Sequence, residues 1–314
     1  MPQKPQGEIT MQLLTAILLS ALRTAGLVVS ITVLVFFLVR VIPGDVVDIL
    51  SAEGGLDASM QAEMRQELGL QQSWPAQLKN WAAQAVHGDF GESLRFHKPV
   101  GGMVSQALPT TIILSGLSFA YGIFLGCAVA ILAVLWPKSF FPKAVETLNA
   151  WSVAMPTFCA GLLGILVVVL WLEWMPMLGN MFLAVVVLGT DVAGQIAKPL
   201  YEDLKETSTS KFIMTAKAKG LGKTRVILFH LLPNSLSVVL ALSGIILGGL
   251  VGGTITLEVL FGLPGIGKLA LDAVLGRDYP LVQAVILLLA VSVVCINWFT
   301  DAVAKLIDPR LRSL

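Results

Sequence analysis

Charge is scarce in this sequence. Lys, Arg, Asp and Glu make up 13% of its 314 residues, about half the share in a soluble globular domain, which excludes an ordinary water-facing surface. Cysteine is nearly absent. Cys127, Cys159 and Cys295 each lie inside an apolar run, so they form neither a disulfide framework nor a metal-ligand spacing and read as small core residues. The three histidines, His87, His97 and His230, are scattered. There is no His/Glu helix pair, nucleophile elbow or paired carboxylate, and the missing constellation argues against catalysis. Gly222-Lys223-Thr224 has the ending of a phosphate-binding loop, but Lys217 stands where that pattern needs glycine. No apolar strand precedes it, so ATP is not expected to bind there. No small-residue cleavage site follows the apolar stretch Met11–Val39, which reads as a membrane helix and not a signal peptide. No internal repeat is visible.

What the chain has instead is apolar length. Hydrophobic residues reach 56% and mean hydropathy is +0.82, and the apolar residues fall in runs near the roughly 20 residues that cross a bilayer as helix. The expected fold is an all-α integral membrane protein with six spans, at about residues 20–41, 107–135, 147–172, 180–198, 235–257 and 281–303. Arg40 can snorkel from the end of the first span. Pro156 predicts a kink in the third. Between the first two spans, residues 42–106 form the one sizeable extramembrane segment. It predicts a helix in Asp57–Leu70 and a second helix from Ser73-Trp74-Pro75 toward His87-Gly88, a small folded cap.

Basic residues are distributed unevenly. Lys198, Lys205, Lys211, Lys217, Lys219, Lys223 and Arg225 crowd one loop. The two termini, the 136–146 loop and the 198–225 loop together hold fourteen Lys and Arg, and the alternate side holds seven. Positive charge favours the cytoplasm, so both termini and the 198–225 loop are expected inside and residues 42–106 outside. That loop also carries small residues, Ala216, Ala218, Gly220 and Gly222, with Pro233 as an expected stop. A structured cytoplasmic loop of this kind suits docking of a soluble partner.

Two features inside the spans stand out. Gly244, Gly248 and Gly252 recur every fourth residue, with Gly249 and Gly253 alongside, a face for close helix packing against another subunit or within the bundle. Gly122 and Gly126 form a second small pair, read as internal packing. Asp191 lies in the fourth span, where an ionised carboxylate costs on the order of 3 kcal/mol at the bilayer centre. It lines a wet translocation path, or the helix is short or shifted so that Asp191 sits near an interface, or it pairs internally.

Several short runs share an order with one known family. These are Ile42-Pro43-Gly44-Asp45, Glu67-Leu68-Gly69-Leu70, Gly88-Asp89-Phe90-Gly91 and Met155-Pro156-Thr157-Phe158. Further on come Glu258, Phe261-Gly262-Leu263-Pro264-Gly265-Ile266-Gly267, Arg277-Asp278-Tyr279-Pro280 and Asp308-Pro309-Arg310. The chain resembles the transmembrane permease subunit of ABC importers in the dipeptide, oligopeptide and nickel group, nearly end to end. Thr215-Ala216-Lys217-Ala218-Lys219-Gly220 is similar to that family's cytoplasmic coupling motif, with Leu232-Pro233 as its closing part. Met214 replaces the general motif's glutamate and Thr215 its first alanine. Leu263 stands where the family has an aromatic residue, the segment from Glu173 to Met181 is short, and Asp191 stands where relatives are apolar.

The resemblance implies a coupling loop at about 199–233, with Phe212, Thr215, Ala216, Lys217, Gly220, Leu221 and Pro233 facing a separate ATPase. Independently of it, Phe212 and Ala216 share a helical face, and Gly220 and Gly222 break the helix. The implied organisation is a cytoplasmic tail and first helix over 1–41, an extracytoplasmic segment over 42–106 and a five-helix core over 107–314. The implied partners are a homologous second permease, two ATP-binding subunits, an extracytoplasmic binding protein and membrane lipid. No cofactor is expected in this chain, ATP and Mg residing in the partners, and no nucleic acid is expected. The expected location is a bacterial or archaeal plasma membrane. Peptides, nickel and metal chelates are the candidate substrates. A self-sufficient secondary transporter or channel is the alternative, although such proteins often show inverted repeats; a membrane enzyme is the third and weakest reading.

Overall fold

The structure is a computed structural model that describes residues 6–41, 47–48, 51, 57–67 and 71–307. The Ile42-Pro43-Gly44-Asp45 and Asp308-Pro309-Arg310 runs and Leu68-Gly69-Leu70 lie outside the described residues. Among the described residues the regular structure is all helix, apart from one isolated bridge between Glu92 and Pro99.

Helix α1 (Gln6–Val41) carries the first span. The cap contributes α2 (Ala58–Glu67) and α3 (Trp74–Val86). Asp57 opens α2 by accepting hydrogen bonds from the Met60 N–H (2.9 Å) and the Ser59 hydroxyl (2.6 Å), which hold its carboxyl below the usual carboxylate range. Trp81 and Trp74 of α3 meet Phe36 and Phe37 of α1, with ring centroids 6.0 and 5.7 Å apart. Then follow α4 (Val100–Leu135), α5 (Phe141–Ala154), and α6 (Thr157–Gly164), which continues as a π-helix over Ile165–Trp171. Next come α7 (Met181–Thr207), the short α8 (Lys211–Ala218) and α9 (Lys223–Val226). Helix α9 runs through a π-turn at Ile227–Leu231 into α10 (Leu232–Leu260), and α11 (Ile266–Leu275) and α12 (Tyr279–Ile307) close the bundle.

Five helical segments are long and apolar enough to cross a bilayer, and α5 with α6 makes a sixth if that bent pair is one span. The third span is not one kinked helix as the sequence suggested. Its halves meet at 109°, because Pro156 supplies no N–H and the chain turns extended at Met155 (φ −100°, ψ 109°). The fourth span is longer than expected and runs through Pro199 to Thr207, so residues 199–207 belong to a helix and not to the loop. Pro233 does not stop the chain either. Lys223–Leu260 forms one continuous span of 38 residues, and the wider π-turn before Pro233 takes up the missing donor.

Glycine notches set the packing. A Cβ on Gly122 would fall 2.4 Å from Val192, and one on Gly126 would fall 2.9 Å from the Ala193 carbonyl. One on Gly189 would fall 2.4 Å from Tyr121. Thus α4 and α7 interlock at backbone distance, the internal packing expected of Gly122 and Gly126. On the other side of α7, Gly194 admits α5, whose Leu148 carbonyl lies 2.3 Å from the position of such a Cβ. The last helix packs against α10 and α1.

Two ends result. One gathers residues 87–99, 172–180 and 261–278, with the Gly179 N–H donating to the Phe261 carbonyl at 2.7 Å. The opposite end gathers the 136–140 turn and residues 208–222, where the Lys223 ammonium donates to the Leu135 carbonyl.

Candidate functional site

The two ends are built by different chemistry. At the first end, Glu258 and Asp278 are both fully buried. Glu258 closes α10 and reaches across to α11. The Gly267 and Lys268 N–H groups donate to its Oε2 at 2.7 and 3.2 Å, and the Thr111 hydroxyl of α4 donates to Oε1 at 2.6 Å. The Thr111 oxygen in turn accepts the Ile266 N–H at 2.8 Å. A carboxylate at a helix N-terminus answers both the unpaired amides and the helix dipole. Gly265 is obligatory here, since a Cβ would lie within 2.4 Å of the Glu258 carboxyl atoms. Asp278 does the same for α12 and adds a tie to the cap. Its oxygens accept the Ser93 hydroxyl, the Leu94 N–H (3.3 Å), the Arg95 N–H (3.4 Å) and the Leu281 N–H (3.4 Å). The Arg95 guanidinium reaches the Asp272 carbonyl at 3.4 Å. We call this the clasp end.

At the opposite, loop end, α8 lies between α7 and α9. Ile213 and Ala216 are buried in one cluster with Leu204, Val226 and Leu231. The sequence reading put Phe212 and Ala216 on a shared face. The structure instead buries Ala216 beside Ile213 and leaves Phe212 46% exposed, so Ala216 is small to fit its own core. Thr215, Lys217 and Gly220 face outward, Leu221 is half-buried and Pro233 is exposed. Helix α8 ends on a turn in which Gly220 has φ +77°, with open space where a Cβ would stand. The glycine is required by conformation and not by crowding. A cavity of about 410 Å³ lies beneath α8, and Lys205, Lys217 and Lys223 line it together with Tyr201 and Leu221.

The remaining candidates divide. Gly244 and Gly248 meet α12, with a Cβ placed 2.6 Å from the Thr300 hydroxyl and 3.4 Å from Asn297 respectively. Gly252 and Gly249 face open space. Asp191 lies on α7 at the broken third span. The Gln195 amide donates to its Oδ2 at 3.1 Å, and Asp191 shares an open hollow of about 430 Å³ with Ser152 of α5. Sequence reasoning noticed Glu258 and Asp278 only as landmarks and assigned neither a role. A lone acidic residue closing an apolar run was the available signal for Glu258.

Residues 122–313 match the family model described as the binding-protein-dependent transport system inner membrane component. The chain belongs to this family. Like its relatives it is a multi-pass transport permease subunit. It is 30% identical to a putative peptide transport system permease protein of Brucella melitensis, over 96% of this chain and 99% of that one. It is 32% identical to the glutathione transport system permease protein GsiC of Shigella boydii, over 90% of this chain and 94% of that one. Among solved structures, a chain of the methionine ABC transporter MetNI in an inward-facing conformation superimposes with a TM-score of 0.56 at 20% identity. The match covers 96% of that chain and 66% of this permease, so it supports the fold of the shared bundle.

Proposed function

We propose that this permease carries peptides inward across the plasma membrane, as one of two homologous permeases on two ATP-hydrolysing subunits and fed by an extracytoplasmic binding protein. The peptide and glutathione transport roles in its relatives' names favour peptides over nickel. The lack of any group of three potential metal ligands among the described residues points the same way. ATP and Mg bind the partners; this chain supplies the path and the linkage. The loop end faces the cytoplasm with both termini, and the cap and clasp end face outward, following the basic-residue asymmetry.

One observation carries the coupling role. Helix α8 is rooted by Ile213 and Ala216 in the cluster that also holds the ends of α7 and the α9–α10 span, while its other faces are exposed. Closure of the ATPases against Phe212, Thr215, Lys217 and Gly220 would move those long helices as rigid levers. Asp191 lines the path they open. The test is co-purification with a cytoplasmic ATPase, followed by uptake in proteoliposomes that requires ATP and binding protein. Uptake by the permease alone would favour the secondary-transporter reading. Cysteines placed singly at Ser59 and Ser208 check the orientation; labelling of Ser208 from outside intact cells would overturn it.

A further inference from the structure

The hollow at the broken third span has a chemistry of its own. Its walls come from the last turn of α5, from Met155-Pro156-Thr157, and from Asp191 and Gln195 on α7. Gly194 brings α5 close to α7, a Cβ there falling 2.6 Å from Ser152, so that Ser152 and Asp191 line one hollow. Asp191 lies ten residues into α7, about 15 Å along the axis at roughly 1.5 Å per residue, half the thickness of the hydrocarbon layer. Lys198, the nearest cation along this helix, is engaged two turns further on by Glu146 at 3.1 Å. Among the described residues Asp191 has no ion pair, and the Gln195 amide that donates to it is neutral.

The break adds further acceptors. Met155 donates to the Trp151 carbonyl, closing the last turn of α5. Pro156 has no N–H for the Ser152 carbonyl, and the 109° bend carries the Thr157 and Phe158 amides off the axis of α5. The C-terminal end of α5, the negative end of its dipole, therefore meets a carboxylate at one opening. Oxygen acceptors at the end of a broken helix are a cation-binding arrangement in membranes. Among the described residues no cluster of His, Cys, Asp and Glu accompanies them, as a transition metal would need. An ammonium suits the set, because it offers three donors to one carboxylate, one amide oxygen and backbone carbonyls.

We infer that this hollow is a way-station for the protonated amino group of a peptide in transit. The inference rests on the reading of Asp191 as path-lining. The test uses the assembled transporter in proteoliposomes, with Cys127, Cys159 and Cys295 replaced and Val153→Cys as reporter, since Val153 lines the hollow and is 81% exposed. The rate of thiol modification is measured with Ala-Ala, with N-acetyl-Ala-Ala and with sodium chloride alone, in the absence of binding protein. Ala-Ala should slow modification about tenfold, the scale of one hydrogen bond to a charged group. N-acetyl-Ala-Ala should not, and Asp191→Asn should abolish the protection. Equal protection by both peptides, protection by neither, or protection that survives Asp191→Asn overturns the inference; protection by sodium alone replaces it with an inorganic cation site. ATP- and binding-protein-dependent uptake in the same vesicles reports on the transport function separately, so the inference can fail while that function stands.

Discussion

The clasp end and the loop end use opposite means to terminate helices. At the clasp end, α11 and α12 each begin on a buried carboxylate whose bonds reach other elements: α4 for Glu258, the 93–95 segment for Asp278. At the loop end, α8 stops on a solvent-facing glycine turn with no side chain near it. The first arrangement fixes position, since every displacement strands a buried polar group. The second leaves a short helix held chiefly by two apolar contacts. Under the proposed function, a permease pushed from the loop end would gain from this division, with a rigid frame at one face and a movable lever at the other.

The comparison breaks most directly at Glu258. Glu258→Ala would strand three donors in an apolar setting and is expected to cost about 3 kcal/mol or more, read as a lower thermal midpoint and poorer recovery of purified permease. Glu258→Gln, which keeps one acceptor oxygen, should lose less. Unchanged stability in Glu258→Ala would mean that the clasp is not an anchor. Asp278→Ala comes next, at about 2 kcal/mol. Its signature is local: protease cleavage within residues 87–99 should appear well before the bundle unfolds, and simultaneous loss of both would contradict the tie between cap and α12.

At the loop end the largest effect should be functional. Gly220→Leu places a branched side chain at φ +77°, which costs about 1–2 kcal/mol in the turn. Membrane insertion should survive, while transport-linked ATP hydrolysis falls by about tenfold for that cost. Gly220→Asn should be tolerated, because Asn also visits positive φ. Normal transport by Gly220→Leu would remove α8 as the coupling element. The smallest effect on stability is expected from Asp191→Asn, which keeps size and one acceptor; uptake should drop with the amount of assembled complex unchanged. Normal uptake in that variant would return Asp191 to a packing role.

The apolar runs made the order of the spans readable, and their number where the bent α5–α6 pair counts as one span; the turn at Gly220 was visible as a helix break. The prolines misled. Pro199 lies within the long helix α7 and Pro233 within the continuous Lys223–Leu260 span, whereas Pro156 turns the chain by 109°. A proline in sequence states that a donor is missing but not whether neighbours replace it. The burial of Ala216 was hidden for a similar reason. Four residues separate it from Phe212, yet Ile213 defines the inward face of α8. Glu258 and Asp278 were legible as positions and not as anchors, since their partners Thr111 and Ser93 lie 147 and 185 residues away in sequence.

The pairing of α1 with α12 has a consequence for biosynthesis. Helix α1 leaves the ribosome before α12, on which it leans, and more than two hundred residues must be made between them. At about 5–20 residues per second that is a wait on the order of ten seconds to a minute. During it α1 must stand alone in lipid, which its exposed Leu22, Val29 and Leu34 suit. Helix α12 then supplies the packing surface that α1 lacks, and ribosome-stalled chains ending before residue 279 should show α1 without a crosslinkable neighbour from the core.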